Sequence, residues 1–399
     1  MIELGYQLAY FINKELQKQN NHYEKKSYDP DYCKFSEEEL ERIEDLHLDC
    51  INDISGLENL KKLKKLTIDN KFLERTNIIY NPEMNYPYNS FKDFSSIEKL
   101  ENLESLIIMD NMFITSFDLK NLKNLKNLII FNTPNLEKLK NLDTLKNLKN
   151  VVICGTSILN EMDFYKYKTN TKHCKKNFLD INMYPHLKNY NSNDSNVKFA
   201  ERIGQFDFVL IPKSQVDILY MKSISIIKDL NLLNLSKEKQ IKYIYDYVIK
   251  NIKFDYDGLQ NRYELIKNNP ETLISMKNDF GMIHSSYNAL IKGKSNCEGY
   301  VNLMKFILNI LGIKSYDVHC KLHKDKNLYA NNHSIIKIEY NNKYRYCDPS
   351  LEQTTNEDYF LKSFDEIKKT HSLGLFEELN ARENMEVELD GNNNRKHFK

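Results

Sequence analysis

The first half of this 399-residue chain repeats one apolar pattern, L-x-x-L-x-x-L-x-I, with Val at one of the leucine positions. The last two apolar positions of each unit lie two residues apart, which is the spacing of one face of a β-strand. A period of 20 to 50 residues predicts that each unit is one supersecondary element and that the units stack on one another. Equivalent strand positions lie 20, 40, 22 and 23 residues apart, at Leu46, Leu66, Leu106, Leu128 and Val151. The wide step is one repeat that carries an insertion of about twenty residues, 71–91.

The repeated pattern resembles that of leucine-rich repeats. One unit cannot cover its own apolar edge, so stacked copies are expected to form a solenoid with a parallel sheet along one face. Such a face serves more often as a binding surface than as a catalytic site, although a short array can also be only a folding scaffold. Polar residues at the strand ends, expected to be exposed and to suit a specific protein partner, are Asp69, Asp110, Asn132 and Thr133.

A second constraint lies in Gly293–Tyr300, a turn that leads into an apolar helix. Apolar residues follow Cys297 at helical spacing, and Ser295 or Asn296 is a suitable N-cap. Gly312 stands where a left-handed residue would end the helix. The positive end of the helix dipole favours the thiolate form of Cys297, which is the nucleophilic form. A cysteine at a helix start can instead be simply packed, since free cysteine is commonly buried.

The segment after this helix predicts a β-hairpin that brings a histidine to an aspartate. Apolar residues alternate before Asn341-Asn342, which is a two-residue turn signal, and the return strand follows it. A two-residue turn fixes the register and places Ile335 opposite Asp348. His333 shares a face with Ile335, so His333 and Asp348 are diagonal neighbours on one face. A thiolate, an imidazole and an orienting carboxylate are the parts of a Cys-His-Asp nucleophilic site.

Together these motifs resemble the transglutaminase-like superfamily over roughly residues 235–350. The matching blocks, in chain order, are Tyr287–Gly293, Cys297–Tyr300, Leu311–Ile313, Asn332–Ser334 and Tyr346–Pro349. The resemblance implies a papain-like α+β fold in which Cys297 is the nucleophile, His333 the general base and Asp348 the residue that orients it. In the animal cross-linking enzymes of the family a Trp helps to stabilise the oxyanion, and this chain has no Trp. We expect Tyr287 in that role, together with the backbone N–H of Cys297, although a Tyr at this spacing can equally pack beneath the helix.

The charge and cysteine content argue against several classes of partner. Lys and Arg number 57 against 56 Asp and Glu, a formal net charge of +1, so no overall field attracts nucleic acid or an anionic membrane. No apolar run approaches about 18 residues, and the N-terminal segment lacks the features of a signal peptide. Seven scattered cysteines suit reduced thiols better than a disulfide framework. We therefore expect a cytoplasmic protein with no nucleic-acid or membrane partner, unless the chain is trimmed from a secreted one.

No metal or cofactor is expected. Cys320 and His323 have C-x-x-H spacing, with Cys347 nearby in the hairpin. Zinc needs three or four convergent ligands, and an odd offset places Cys320 and His323 on opposite faces of a strand. The sequence also has no Gly-rich phosphate loop and no EF-hand loop.

The sequence therefore predicts a two-domain α/β protein, with an N-terminal leucine-rich-repeat solenoid and a C-terminal α+β transglutaminase-like domain. The expected ranges are a helical cap at 1–35, the solenoid at 36–165, an irregular connection at 166–215, the catalytic domain at 216–380 and a flexible tail at 381–399. Apolar residues between Phe360 and Leu373 are expected to form a closing helix.

The expected function is cysteine-dependent acyl transfer on protein substrates, with the repeats docking a protein partner. Its products would be amide cross-links, deamidated side chains or hydrolysed peptides. The alternative is a non-catalytic interaction protein whose transglutaminase-like domain is vestigial.

Overall fold

The computed structural model divides the chain into two compact units. The first comprises Met1–Glu201 and Leu210–Lys213, and the second comprises Arg202–Val209 and Ser214–Lys399. The predicted insertion at 71–91 and the predicted tail at 381–399 lie outside the described residues. The structure describes residues 1–23, 25–49, 51, 53–69, 93–111, 113–158, 162–188, 197–203, 207–268, 281–323 and 333–373.

Short strands make up most of the first unit. Its described helices are α1 (Tyr6–Gln19), α2 (Glu37–Glu41) and α3 (Phe164–Thr171). Its strands are β1 (Ile2–Glu3), β2 (Lys34–Phe35), β3 (Asp45–Asp49), β4 (Lys65–Asp69), β5 (Ser105–Met109), β6 (Ser116–Asp118), β7 (Asn127–Thr133), β8 (Lys138–Lys140), β9 (Asn150–Thr156), β10 (Met162–Asp163), β11 (Lys176–Asp180) and β12 (Leu187–Lys188). The chain then passes between the units in β13 (Lys198–Ile203) and β14 (Asp207–Ile211).

The repeated apolar pattern forms parallel strands in constant register. Leu46 pairs with Leu66, Leu66 with Leu106, and Leu106 with Leu128. Leu128 in turn pairs with Val151, and each of these five side chains is at most 1% exposed. The predicted strand positions are therefore confirmed. Short 3-10 turns follow the same spacing at Leu57–Asn59, Ile97–Lys99 and Leu142–Thr144.

Three of the strand-end residues predicted to face a partner are buried instead. Asp110 is 4% exposed, and Asn132 and Thr133 are 0% exposed. Asp110 and Asn132 both have positive φ, 57° and 53°, and the Asn132 side-chain amide donates to the Asp110 carboxylate. This polar contact links one repeat to the next inside the unit. Because all three residues are buried, the prediction that they form an exposed patch is wrong. Asp69 is half-buried.

Regular structure occupies much of the range predicted as an irregular connection, 166–215. β11 pairs in parallel with β9, and β13 pairs in parallel with β11, so the repeat sheet continues beyond the recognisable leucine pattern. Leu179 and Phe199 are neighbours across this extension, and both are fully buried. No clear indication of β11 is present in the sequence among the surrounding Asn and Lys residues, because a strand of five residues needs few apolar positions.

The N-terminal range predicted as a helical cap contains the amphipathic helix α1 and a small ribbon of β1 and β2. Leu8, Ile12 and Leu16 recur at a spacing of four, which places them on one face, and all three are fully buried. The next helix, α2, begins with a capping box in which Ser36 and Glu39 satisfy each other's backbone N–H.

The second unit is built around one helix and one antiparallel sheet. Its described helices are α4 (Lys213–Asp229), α5 (Lys237–Asn251), α6 (Tyr256–Asn268), α7 (Ser286–Lys292), α8 (Cys297–Ile310), α9 (Pro349–Thr355) and α10 (Phe364–Ile367). Its strands are β15 (Lys253–Phe254), β16 (Lys294–Ser295), β17 (Ser315–Leu322), β18 (His333–Tyr340), β19 (Lys343–Cys347) and β20 (His371–Leu373). The last four form a sheet in the order β19-β18-β17-β20.

Helix α8 is the core element of this unit. Nearly its whole length is buried, as expected for a helix that is apolar on most of its faces. It packs against α5, α7 and the strands β17 and β18. The N-terminal end of α8 and the start of β18 carry the residues predicted to react. No helix in the described part of the chain has both the length and the apolar character needed to cross a membrane.

The predicted closing helix between Phe360 and Leu373 is wrong for most of its length. Only Phe364–Ile367 is helical, and it begins with a capping box formed by Ser363 and Glu366. His371–Leu373 is strand β20, which pairs antiparallel with the end of β17. Pairing with a distant strand has overridden the helical spacing of the apolar residues.

Candidate active site

Cys297 is the first residue of α8, where the sequence predicted it. Asn296 is the N-cap, and its side-chain oxygen accepts a hydrogen bond from the Gly299 backbone N–H at 3.4 Å. A Cβ on Gly299 would overlap the side chain of Ser295, so only glycine fits this first turn. Gly312 has φ +71°, as predicted for a left-handed helix end. The Cys297 side chain therefore lies at the positive end of a confirmed helix, and the residue is 7% exposed.

The hairpin brings His333 and Asp348 together. Ile336 pairs with Cys347 across the Asn341-Asn342 turn, which is the predicted register. Both turn residues have positive φ, 53° and 58°, as a two-residue turn of type I′ requires. His333 Nε2 lies 2.6 Å from Asp348 Oδ2, and both residues are buried. The predicted contact between the two side chains is therefore present.

Asp348 receives hydrogen bonds on both carboxylate oxygens. Because it is the N-cap of α9, its Oδ1 accepts from the Leu351 backbone N–H at 3.0 Å, and it also accepts from Ser350 Oγ at 2.9 Å. Its Oδ2 accepts from His333 Nε2 and from His371 Nε2, the latter at 3.0 Å. A carboxylate that is completely buried is thus satisfied by four donors.

The charges of His333 and Asp348 stabilise each other. Burial alone would raise the pKa of Asp348, but the charge of His333 and the hydrogen bonds from His333 and His371 hold that pKa well below its usual range. Burial alone would lower the pKa of His333, but Asp348 and the neighbouring Cys297 sulfur raise it well above its usual value. The site therefore favours an imidazolium next to a sulfur, which is the arrangement that activates a cysteine.

His371 is a site residue that sequence reasoning missed. It is fully buried on β20, and Thr370 Oγ1 lies 2.8 Å from its Nδ1. Its only sequence signal was a histidine inside an apolar stretch predicted to be helical. The pairing of β20 with β17 brings it to Asp348, and no local spacing encodes that pairing.

Tyr287, predicted to help bind the oxyanion, lies half-buried on α7. Its hydroxyl makes no hydrogen bond within the described part of the chain. Its role at the site therefore stays a prediction. The backbone N–H of Cys297 is one of the helix-start groups that have no acceptor inside their own helix.

Glu298 and Tyr300, which flank Gly299 in the predicted motif, fix the start of α8 to its surroundings. The Glu298 carboxylate contacts His284 Nδ1, and Asn296 Nδ2 lies 2.6 Å from the same nitrogen. The Tyr300 hydroxyl lies 2.6 Å from Gln353 Oε1. These contacts restrain the helix end that carries Cys297.

A buried group of charges also contacts α8 and was not predicted. Asp317 on β17 accepts from Lys305 Nζ at 2.8 Å and from Arg202 Nη1 at 2.7 Å. Burial alone would raise the pKa of Asp317, but Lys305 and Arg202 hold it well below its usual range. His319 lies 3.7 Å from the same carboxylate, and burial together with Arg202 lowers the pKa of His319 to about 4.

His333, Asp348 and His371 also form the one group of potential metal ligands found among the described residues. Their donor atoms all lie within 4.8 Å of one another. The two separations to Asp348 Oδ2, 2.6 and 3.0 Å, are hydrogen-bond distances, so hydrogen bonding accounts for the group and we assign it no metal. Of the pair weighed as zinc ligands, Cys320 is buried opposite His333 and His323 is exposed.

Comparison with known proteins gives one family match. A family model described as a transglutaminase-like domain matches residues 222–376. No curated protein sequence matches the chain.

Three solved structures show distant similarity. The crystal structure of a TGase is 16% identical, with 40% of this chain and 38% of that chain covered and a TM-score of 0.29. A predicted cysteine protease from Cytophaga hutchinsonii is 10% identical, with coverages of 33% and 37% and a TM-score of 0.24. An internalin from Listeria monocytogenes is 18% identical, with coverages of 50% and 68% and a TM-score of 0.27. The matches span less than two fifths of the first two proteins.

Proposed function

We propose that residues 222–376, which match a family model described as a transglutaminase-like domain, catalyse acyl transfer from carboxamide or peptide carbonyl groups of proteins. Cys297 is the proposed nucleophile. The observation that carries the proposal is the 2.6 Å contact of His333 Nε2 with Asp348 Oδ2, next to a sulfur that raises the pKa of His333. This arrangement supplies a thiol at a helix N-terminus with an oriented proton carrier.

In the proposed reaction the Cys297 sulfur attacks the substrate carbonyl carbon and forms a tetrahedral intermediate. The imidazolium of His333 gives its proton to the leaving nitrogen, the C–N bond breaks, and ammonia or a peptide amine departs. Asp348 keeps its negative charge and holds the ring so that one nitrogen faces the sulfur. The product of this half-reaction is a thioester on Cys297.

The second half-reaction releases the acyl group. His333 removes a proton from the incoming water or amine, which attacks the thioester carbonyl, and Cys297 leaves as the thiolate. Water gives hydrolysis or deamidation, whereas an amine gives a cross-link. The oxyanion of each tetrahedral intermediate would be stabilised by the Cys297 backbone N–H, which points from a helix start, and by the hydroxyl of Tyr287.

We further propose that the first unit is a leucine-rich-repeat solenoid that docks the protein substrate. The exposed side chains of β3, Asp45, His47 and Asp49, support a docking role for this end of the sheet. Charge reversal at Asp45 and Asp49 is expected to change the preference among protein substrates while turnover of a small amide stays the same. Unchanged preference would argue for a scaffold only.

The test of the acyl-transfer proposal is mass spectrometry of candidate protein substrates incubated with the full chain, in ¹⁸O-labelled water and with or without an added primary amine. Incorporation of ¹⁸O at a side-chain carboxyl indicates deamidation, a new peptide terminus indicates cleavage, and amine incorporation indicates cross-linking. Cys297→Ala is expected to abolish all three. Cys33→Ser, which changes a half-buried cysteine in the first unit, is the matched control.

A thiol-reactive probe gives an independent readout. Iodoacetamide is expected to modify Cys297 faster than Cys33 or Cys174, and His333→Ala is expected to slow that reaction. Burial raises the pKa of Cys174 to about 11, so Cys174 should react slowly. If Cys297 reacts no faster than these cysteines and no substrate is changed, the domain is a non-catalytic interaction module.

A further inference from the structure

Two imidazole rings share one oxygen of Asp348. His333 Nε2 lies 2.6 Å from Oδ2 and His371 Nε2 lies 3.0 Å from the same atom. The two ring centroids are 5.7 Å apart, and His371 has no exposed surface. The proposed reaction uses the first ring and leaves the second without a role.

The sheet explains how the second ring reaches the site. On β17, Cys320 lies opposite His333 and Leu322 lies opposite His371. Alternate residues of a strand point to the same face, so positions 320 and 322 share a face. The two histidines therefore lie on one face of the sheet, on the strands that flank β17, and Asp348 accepts from both.

The contacts of His371 indicate which of its nitrogens carries a proton. The Thr370 hydroxyl donates to the Ile367 carbonyl oxygen at 3.3 Å and lies 2.8 Å from His371 Nδ1, while Nε2 faces the Asp348 carboxylate, which only accepts hydrogen bonds. Nε2 then carries the ring proton and donates it to Asp348.

We propose that His371 is a positioning residue, whose Nε2–H holds Asp348 Oδ2 where it accepts the hydrogen bond of His333. The proposal rests on the proposed function of Cys297, His333 and Asp348. Oδ1 is held by Ser350 and Leu351 whatever the state of the site. Among the described residues, Oδ2 accepts hydrogen bonds from the two histidines, and His333 must change its protonation state in each half-reaction. His371 keeps the carboxylate oriented while that change occurs.

A matched pair of substitutions tests the role of the donor. In His371→Gln the side-chain amide reaches about as far as Nε2 and can donate to Asp348, whereas in His371→Asn the same amide is one bond shorter and meets Thr370 instead. We expect kcat of His371→Asn to fall about tenfold or more with KM nearly unchanged, since a lost orienting partner affects the transition state. His371→Gln is expected to stay within about threefold of the unchanged chain.

The exposed His323, whose backbone N–H bonds the carbonyl of Thr370, provides the control for changing a histidine in this part of the sheet. His323→Gln is expected to leave kcat and KM unchanged. Thermal unfolding of each variant checks that it folds. Equal kcat for the Asn and Gln variants, whether both are retained or both are lost, would overturn the positioning role.

An NMR measurement on ¹⁵N-histidine-labelled protein tests the contact without any turnover. The Nε2 proton of His333 should give a low-field resonance that persists in His371→Gln and is lost or shifted in His371→Asn. If the unchanged chain converts no amide but shows this pattern, the proposed function fails and the positioning role stands. If the resonance is the same in both variants, the positioning role fails whatever the activity.

Discussion

Lys305 Nζ lies 2.8 Å from Asp317 Oδ1 in the interior of the second unit, and both side chains are less than a tenth exposed. Lys305 follows Cys297 by eight residues on α8, which is about two helical turns. Arg202 holds the other oxygen of Asp317 at 2.7 Å. The ion pair therefore ties the helix that carries the sulfur to β17, the strand that separates the two histidine-bearing strands.

Replacing Lys305 by Met is expected to destabilise the second unit. The substitution leaves a buried carboxylate with one of its two cations, and loss of one partner from a buried pair costs about 3 kcal/mol. Hydrogen–deuterium exchange of α8 and β17 should show the loss as faster exchange. Lys368→Met, which removes an exposed lysine paired with Asp365, is the control and should leave exchange unchanged. Unchanged protection in Lys305→Met would show that the ion pair does not stabilise the fold.

The stability of the second unit should fall between pH 6.5 and pH 4 because of His319. Burial and Arg202 lower the pKa of His319 to about 4, so over this range the unfolded chain binds a proton that the folded chain does not. The loss amounts to about 3 kcal/mol at the lower end, from about 1.4 kcal/mol per pKa unit. His333 acts in the opposite sense, because its raised pKa contributes stability below pH 6.5 that is lost only as the pH rises through its folded value.

Urea unfolding at a series of pH values measures this dependence. His319→Gln removes the titrating ring and should flatten the dependence of the unfolding free energy on pH between pH 6.5 and pH 4. The control His323→Gln, at an exposed histidine, should leave that dependence unchanged. NMR titration of labelled histidine rings gives the same information directly. A His319 ring that titrates near its ordinary value would contradict the prediction.

Substitutions at Asn342 should change the stability of the hairpin that positions Asp348. Asn342 has φ 58°, which glycine adopts freely and β-branched residues avoid. Asn342→Gly is expected to stabilise the hairpin by about 0.5 kcal/mol, and Asn342→Val to destabilise it by about 1 to 2 kcal/mol. Lys343→Val, one residue on in the strand, is the control. Chemical denaturation measures all three, and equal effects at positions 342 and 343 would show that the left-handed turn does not limit stability.

In the first unit, Asn132 should matter for two separable reasons. Its amide donates to the buried Asp110 carboxylate, and its backbone has φ 53°. Asn132→Gly removes the donor but keeps the backbone freedom, and is expected to cost about 1 to 3 kcal/mol. Asn132→Ala should cost about 1 kcal/mol more, because alanine also strains the left-handed backbone. Hydrogen exchange of β5 and β7 measures the difference in stability between the two variants. A Gly variant that is less stable than the Ala variant would contradict the expected effect of the left-handed backbone.

Local rules of the sequence were sufficient for several elements. The spacing of leucines gave the strand positions from Leu46 to Val151, because a parallel stack repeats one register. The Asn341-Asn342 turn gave the hairpin register, because the length of a turn determines which residues face each other. A capping residue at Ser295 or Asn296 predicted the start of α8, and Asn296 is the N-cap, because caps have specific backbone and hydrogen-bond requirements.

Other features had no local signal. The prediction that Asp110 and Asn132 are exposed failed because each finds its partner one repeat away, and polar character alone does not indicate exposure. The strand β11 was not recognised in its Asn- and Lys-rich range, because its neighbouring strands and not its composition hold it in the sheet.

By itself the sequence determined the periodic strands, the helix that begins at Cys297 and the hairpin that joins His333 to Asp348, since each follows from the spacing of residues close in the chain. Only the tertiary structure decided that His371 also bonds Asp348 and that Lys305 and Arg202 neutralise Asp317. These contacts join segments far apart in sequence, and their partners are chosen by the pairing of β17 and β20 and by burial. No short-range pattern specifies them.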